Sequence, residues 1–186
     1  MGDRVGGCLT TEADGAREAH GGRAVAHARR SLARAGKRDT SGVTILIRRE
    51  FIVNTPLRQA WAHLSRIESW PSWAKHIRRV ELVPAGALTA QSEGRIHLRN
   101  GIRSTFRMVE LNPGRNWKWV GQFLWLTIHY DHQFEAVDGR RTRLIWLVTA
   151  DGVGESIVGR LFARLYERNL NKAIPGLMAE MSATVA

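Results

Sequence analysis

Cysteine is almost absent from this 186-residue chain: Cys8 stands alone, so no internal disulfide forms and paired-cysteine metal sites are excluded. Long apolar runs are missing too, and no window approaches the ~18 consecutive apolar residues of a membrane-spanning helix. The first residues lack the apolar stretch of a secretory signal, because Gly6, Gly7, Glu12, Asp14 and Gly15 interrupt every candidate run. Together these absences predict a protein of the reducing cytoplasm. The chain has no Walker loop, GxGxxG, HExxH or GxSxG motif, so neither a cofactor nor a metal is expected. Acidic side chains are few, 17 against 28 Lys and Arg, for a formal charge of +11.

That charge is spread along the chain. Residues 1–42 carry +3 and the remainder +8. Within the remainder, Arg95 and Arg99, Arg103 and Arg107, and Arg141 and Arg143 sit at alternating positions of predicted strands, on one face of a sheet. A solvated outer face is the simpler reading; an electrostatic footprint for RNA, a ribosome or anionic lipid is the other.

Residues 1–42 are rich in Gly, Ala and Arg, and no aromatic residue precedes Phe51. They bury too little to offset the entropy of ordering and read as a disordered tail, with a weak helix over Arg23–Ala35 or an over-long reading frame as alternatives. The domain is expected over 43–186. Its 44% hydrophobic composition is enough for one substantial core.

From Val43 the pattern is regular. Thr44–Val53 alternates as a strand, with Ile45, Ile47, Arg49, Phe51 and Val53 on one face. Asn54-Thr55-Pro56 then predicts a helix start, and LRQAWAHLSRI places Leu57, Ala60, Trp61 and Leu64 on one stripe. A second short helix is expected after Pro71, holding Trp73 and Ile77. Strands follow near Arg78–Val83, Gly94–Arg99, Ile102–Leu111, Asn116–Gly121, Trp125–Ala136 and Arg141–Ala150, punctuated by Asn100-Gly101, Asn112-Pro113-Gly114 and Asp138-Gly139. The glycine-containing GVGES at 152–156 reads as a turn into a terminal helix. In that helix Val158, Leu161, Phe162, Leu165, Asn169 and Ala173 form the apolar stripe, Arg160, Arg164, Glu167 and Arg168 lie opposite, and Pro175 predicts a kink. The fold class is α+β, with about seven antiparallel strands curved around one long helix. Six tryptophans, Trp70, Trp73, Trp117, Trp119, Trp125 and Trp146, concentrate in the strand-rich part, more than packing alone requires. They suggest a pocket for an apolar or aromatic molecule.

Four stretches, FIVNTPLRQAWAHLSRIESWPSW, RNWKWVGQF, YDHQFEAVDGRRTRLIW and GVGESIVGRLFARLYERNLNKAIPGL, carry a resemblance in order and spacing. The chain resembles the START-like helix-grip superfamily, also labelled SRPBCC or polyketide cyclase/dehydrase and lipid transport. The resemblance implies a cavity between the sheet and the long helix, lined by the inward sheet residues and the helix stripe. Phe51, Trp61, Trp73, Phe106 and Met108 are lining candidates, as are Trp117, Trp119, Ile128, Tyr130 and His132. Trp146, Phe162, Leu165 and Asn169 complete that set. Pro175 departs from the uninterrupted helix of such a fold.

Individual polar residues are weighed against plain packing. His129 and His132 fall on opposite faces of one strand and cannot share a metal; His132, on the face of Ile128, Tyr130 and Phe134, is either a satisfied core histidine or a pocket group. Arg49 interrupts an apolar face, so it needs a carboxylate, solvent or an anionic ligand. Asp131 points away from His132, Glu110 and Glu135 read as outer partners of the basic face, and His63 and His76 as surface residues. The expectation is a binder of a small hydrophobic or aromatic ligand, lipid, polyketide or quinone-like. A cyclase or dehydratase using His132, Tyr130 and Arg49 for acid–base work and oxyanion stabilisation is the alternative, and an RNA- or ribosome-associated module is the third.

Overall fold

The computed structural model describes residues 42–151 and 156–183. The expected tail, apart from Gly42, the helix over Arg23–Ala35 and most of the 152–156 turn lie outside the described residues. In order, the elements are β1 (Val43–Val53), α1 (Leu57–Leu64), a 3-10 helix (Ile67–Ser72), β2 (Ile77–Val83), β3 (Glu93–Leu98), β4 (Arg103–Asn112), β5 (Asn116–Phe123), β6 (Leu126–Ala136), β7 (Thr142–Asp151) and α2 (Ile157–Ala183). The strands form one seven-stranded sheet in the order β1-β7-β6-β5-β4-β3-β2, with every pairing antiparallel.

This order fixes what α1 does. β1 and β2 are consecutive in sequence but occupy opposite edges of the sheet, so the segment between them must cross it. It crosses the apolar face and carries Trp61, Trp70 and Trp73 into the core. The crossing is tied down by backbone acceptors: the Trp70 indole donates to the Leu64 carbonyl at 2.8 Å. Thr142, fully buried, donates to the Thr55 carbonyl at 2.7 Å, and Thr55 donates to the Met181 carbonyl at 3.2 Å, joining β7, the start of α1 and the end of α2. Thr55 therefore does not cap α1; the cap is Pro56, whose carbonyl receives the amides of Gln59 and Ala60.

The short helix lies before the position expected. It is a 3-10 turn that contains Pro71, with Trp73 as its C-cap and Ile77 already in β2. A 3-10 helix of six residues makes few internal bonds, so proline disrupts it less than it would an α-helix. In β1 a register shift between Ile45 and Ile47 turns Ile45 outward, 42% exposed, and packs Leu46 against the core instead.

α2 is one helix through Pro175. Its buried stripe is Gly159, Phe162, Leu170, Ala173, Leu177 and Met181, with Tyr166 packed against the core. Leu161 and Leu165, expected inside, are 52% and 50% exposed. The sequence contains two overlapping apolar stripes one position apart, and the one continuing through Leu177 and Met181 buries more. Glu167, expected to face away, points to the sheet.

Candidate functional site

The concave face is read most simply as rows of side chains running across the strands. One row is Met108, Trp119, Tyr130, Val148 and Ile47, on β4, β5, β6, β7 and β1. The next is Leu111, Trp117, His132, Trp146 and Arg49 on the same five strands. Phe134, Leu144 and Phe51 follow. Along β5, β6, β7 and β1 residues of like parity share the inward face, and on β4 the register shift between Met108 and Glu110 brings Leu111 onto it.

Over the second and third rows the aromatics are in mutual contact. Trp117 stacks on His132 at 5.1 Å between centroids, and Trp61 meets Trp117 and Phe134 at 5.1 Å each. Trp70 contacts Trp73, Trp119 and His132 at 5.5, 5.4 and 5.8 Å. Phe51 meets Trp146 edge-on at 5.1 Å. At these separations the rings touch directly, so much of the tryptophan content is core packing. Trp125, grouped with these by its sequence neighbourhood, is not among them: it is 67% exposed at the β5–β6 turn beside Leu124, whose φ is 55°.

The other end of the concave face differs. Tyr130 on β6 meets Tyr166 of α2 at 5.7 Å, Tyr166 stacks on Phe162 at 5.5 Å, and Phe162 meets Phe123 of β5 at 5.1 Å. Both tyrosines keep accessible surface, yet burial pushes both phenols well above the ordinary tyrosine pKa, with Tyr166 adding to the rise at Tyr130. At these separations the rings touch here as well, but both tyrosines are only half-buried, so this end of the apolar face is a part that solvent reaches. Gly121 leaves no room for a side chain beside Tyr130, since a Cβ there would lie 2.8 Å from the Thr105 carbonyl oxygen and 3.6 Å from the Tyr130 ring.

His132 is 4% exposed, and burial pushes its pKa from 6.5 to about 3. Burial therefore keeps the imidazole neutral, and its Nδ1 has no hydrogen-bond partner to orient it. Arg49 has found a partner on the helix: it donates to Glu167 Oε1 at 2.6 Å and Asn171 Oδ1 at 2.9 Å. With Trp146 between them in the row, the strands carrying Arg49 and His132 lie about 10 Å apart, two strand spacings.

Of the other residues picked out by sequence, Phe106, Met108, Trp117, Trp119, Ile128, Trp146 and Phe162 are buried in the core with Trp73, and Phe51, Trp61 and Tyr130 pack against it half-buried. Asn169 is half-buried and Leu165 faces outward, a correction that follows from the phase of α2. Sequence reasoning passed over Tyr166 and Phe123, and placed Glu167 on the side of α2 away from the sheet, where the structure pairs it with Arg49. Tyr166 had a signal, standing four residues after Phe162 and four before Leu170, the spacing of one helical stripe.

On the outer face His129 contacts Asp151 at 2.8 Å. Asp131 accepts from Gln133 and Asn116, Glu110 accepts from Lys118 at 2.7 Å, and Glu135 from Arg143 at 3.1 Å. Acidic residues are thus interleaved with the basic ones. His63 and His76 are half-buried rather than on the surface, and burial lowers the pKa of both. Among the described residues no group of three His, Cys, Asp or Glu side chains is placed to hold a metal, and no helix is long and apolar enough to cross a membrane.

A sheet wrapped around a terminal helix, with a cross-over segment closing one end, defines a helix-grip protein. Residues 44–178 match the polyketide cyclase / dehydrase and lipid transport family, and the chain belongs to it. No curated protein matches the sequence. Among solved structures it is similar to the Zhui aromatase/cyclase of Streptomyces sp. R1128, at 16% identity over 77% of this chain and 96% of that one, TM-score 0.59. It is also similar to Ara h 8.0201, at 13% identity, 76% and 99% coverage and TM-score 0.61. A third is the hypothetical protein jhp0584 of Helicobacter pylori, at 15% identity, 76% and 89% coverage and TM-score 0.61. At such identities the likeness is one of fold.

Proposed function

We propose that this protein binds a small hydrophobic or aromatic ligand, of lipid, polyketide or quinone-like character, in the recess between the sheet and α2. The observation that carries the reading is the Tyr130–Tyr166–Phe162–Phe123 end of the concave face, where aromatic side chains are enclosed by protein without being closed off. Binding is favoured over a cyclase or dehydratase role by the polar groups themselves. His132 lacks an orienting partner and stays neutral, and Arg49 is engaged by Glu167 and Asn171. The interleaved acids on the outer face weaken the case for RNA. Native mass spectrometry of protein purified from its own host, followed by denaturing extraction, tests the reading. A stoichiometric apolar or aromatic molecule is expected; an empty protein that carries RNA and releases it at high salt would replace this reading with the third one.

A further inference from the structure

Large apolar side chains gather on the outside at one end of the sheet. In the β5–β6 hairpin Phe123 pairs with Leu126, so the turn itself is Leu124-Trp125, and both residues are exposed. A two-residue hairpin turn with positive φ at its first position ordinarily has glycine there; here leucine takes a φ of 55° and tryptophan follows. A strained residue that buries nothing points to a contact outside the chain. Phe106 opposite Gly121 brings the start of β4, and with it the β3–β4 turn and its exposed Ile102, beside the end of β5. The contact of Phe123 with Phe162, 5.1 Å between centroids, brings the first turns of α2 against the same strand end. There Ile157, Leu161 and Leu165 form an outward stripe on the side of α2 away from Phe162, with Ile157 76% exposed.

The charge of this end is of one sign. Arg99 and Arg103 flank the β3–β4 turn, and Arg164 and Arg168 lie along the outward stripe of α2, all exposed. No acidic residue occurs from Leu98 to Val109, from Leu111 to Tyr130 or from Ile157 to Tyr166. Glu167 is engaged by Arg49 and Asp151 by His129, whereas Glu110, Glu135 and Asp138 lie toward the other end, by the β4–β5 and β6–β7 turns. We propose that this end is a docking surface for an anionic lipid bilayer, with the Leu124-Trp125 tip inserted at the interface and the outward stripe of α2 lying along it. Apolar side chains enter the boundary between head groups and acyl chains, tryptophan favours that depth, and arginine reaches the lipid phosphates. A second copy of this chain fits the surface less well, because it would bring two arginine-rimmed faces together. The contact is peripheral, since no helix among the described residues is long and apolar enough to span a bilayer. It does not depend on whether a ligand occupies the concave face.

Co-sedimentation of the full chain with vesicles of phosphatidylcholine alone, and of phosphatidylcholine with an equal part of phosphatidylglycerol, tests this. Binding to the mixed vesicles is expected to be at least about tenfold tighter. Leu124→Ser with Trp125→Ser, and Arg164→Gln with Arg168→Gln, should each weaken it about tenfold or more, while Trp125→Phe keeps most of it. In the wild type, lipids brominated along their acyl chains should quench part of the tryptophan emission, and in Trp125→Phe none of it, since of the seven tryptophans Trp125 alone is exposed. The wild-type quenching stands even if a variant folds poorly. Binding to neither vesicle would overturn the proposal. So would binding that both double variants leave unchanged and that brings no quenching, by placing the lipid contact elsewhere. A dimer in sedimentation velocity that Leu124→Ser with Trp125→Ser abolishes, without vesicle binding, would assign the surface to a second copy and overturn it too.

Discussion

His132 makes the folded state sensitive to acid. The unfolded chain takes up a proton on this imidazole near pH 6.5, whereas in the fold, walled by the uncharged rings of Trp70, Trp117, Trp119 and Trp146, it does so only near 3. Between those values the unfolded state binds more protons, so stability is complete above the unfolded pKa and falls as pH drops. The limiting slope is about 1.4 kcal/mol per pH unit, or about 3 kcal/mol lost from pH 6.5 to 4. Burial also lowers His63 and His76, and they add to the slope with the same sign. Urea denaturation between pH 7 and 4.5 should show His132→Phe with a shallower loss than wild type. An unchanged slope would mean that water reaches the imidazole.

Elements were legible in the sequence to different depths. All seven strands were, in most cases because the apolar alternation ends at a turn whose chemistry forces one: Gly101 and Gly114 have φ of 88° and 76°, which other residues adopt only with strain, whereas the β5–β6 turn at Leu124 carries no such residue. The phase of α2 was not. Periodicity alone fits a stripe on Leu161 and Leu165 as well as one on Phe162 and Tyr166, and only tertiary packing chooses between them. The Arg49–Glu167 pair was hidden for the same reason, since 118 residues separate its members and it exists only in the observed phase. Substituting Leu161 or Leu165 by Gln should therefore change unfolding free energy by no more than about 0.5 kcal/mol, against about 2–5 kcal/mol for Leu170→Ala. Comparable losses at Leu165 and Leu170 in denaturant melts would restore the expected phase.

For the molecule as a whole, packing is unevenly shared between the two ends of α2. Its second half buries Leu170, Ala173, Leu177 and Met181, and Gly176 sits against Trp73, where an added Cβ would come within 3.1 Å of the Trp73 carbonyl. Its first half buries only Gly159 and Phe162, with Tyr166 half-buried against Tyr130. Fewer buried contacts mean a lower cost of local opening. A ligand held against Tyr130 and Tyr166 beneath this half must leave before it can open, so binding adds its free energy to the cost of opening there. At a hundred times its Kd, an apolar aromatic probe such as naphthalene contributes about 2.7 kcal/mol and should slow amide exchange over residues 160–168 by about a hundredfold. The loop between β2 and β3, at the edge of the sheet opposite β1 and largely exposed, should exchange at its original rate. Protection confined to the Trp61–Trp73 end would show instead that the ligand enters beneath the cross-over segment, and that the first half of α2 takes no part in holding it.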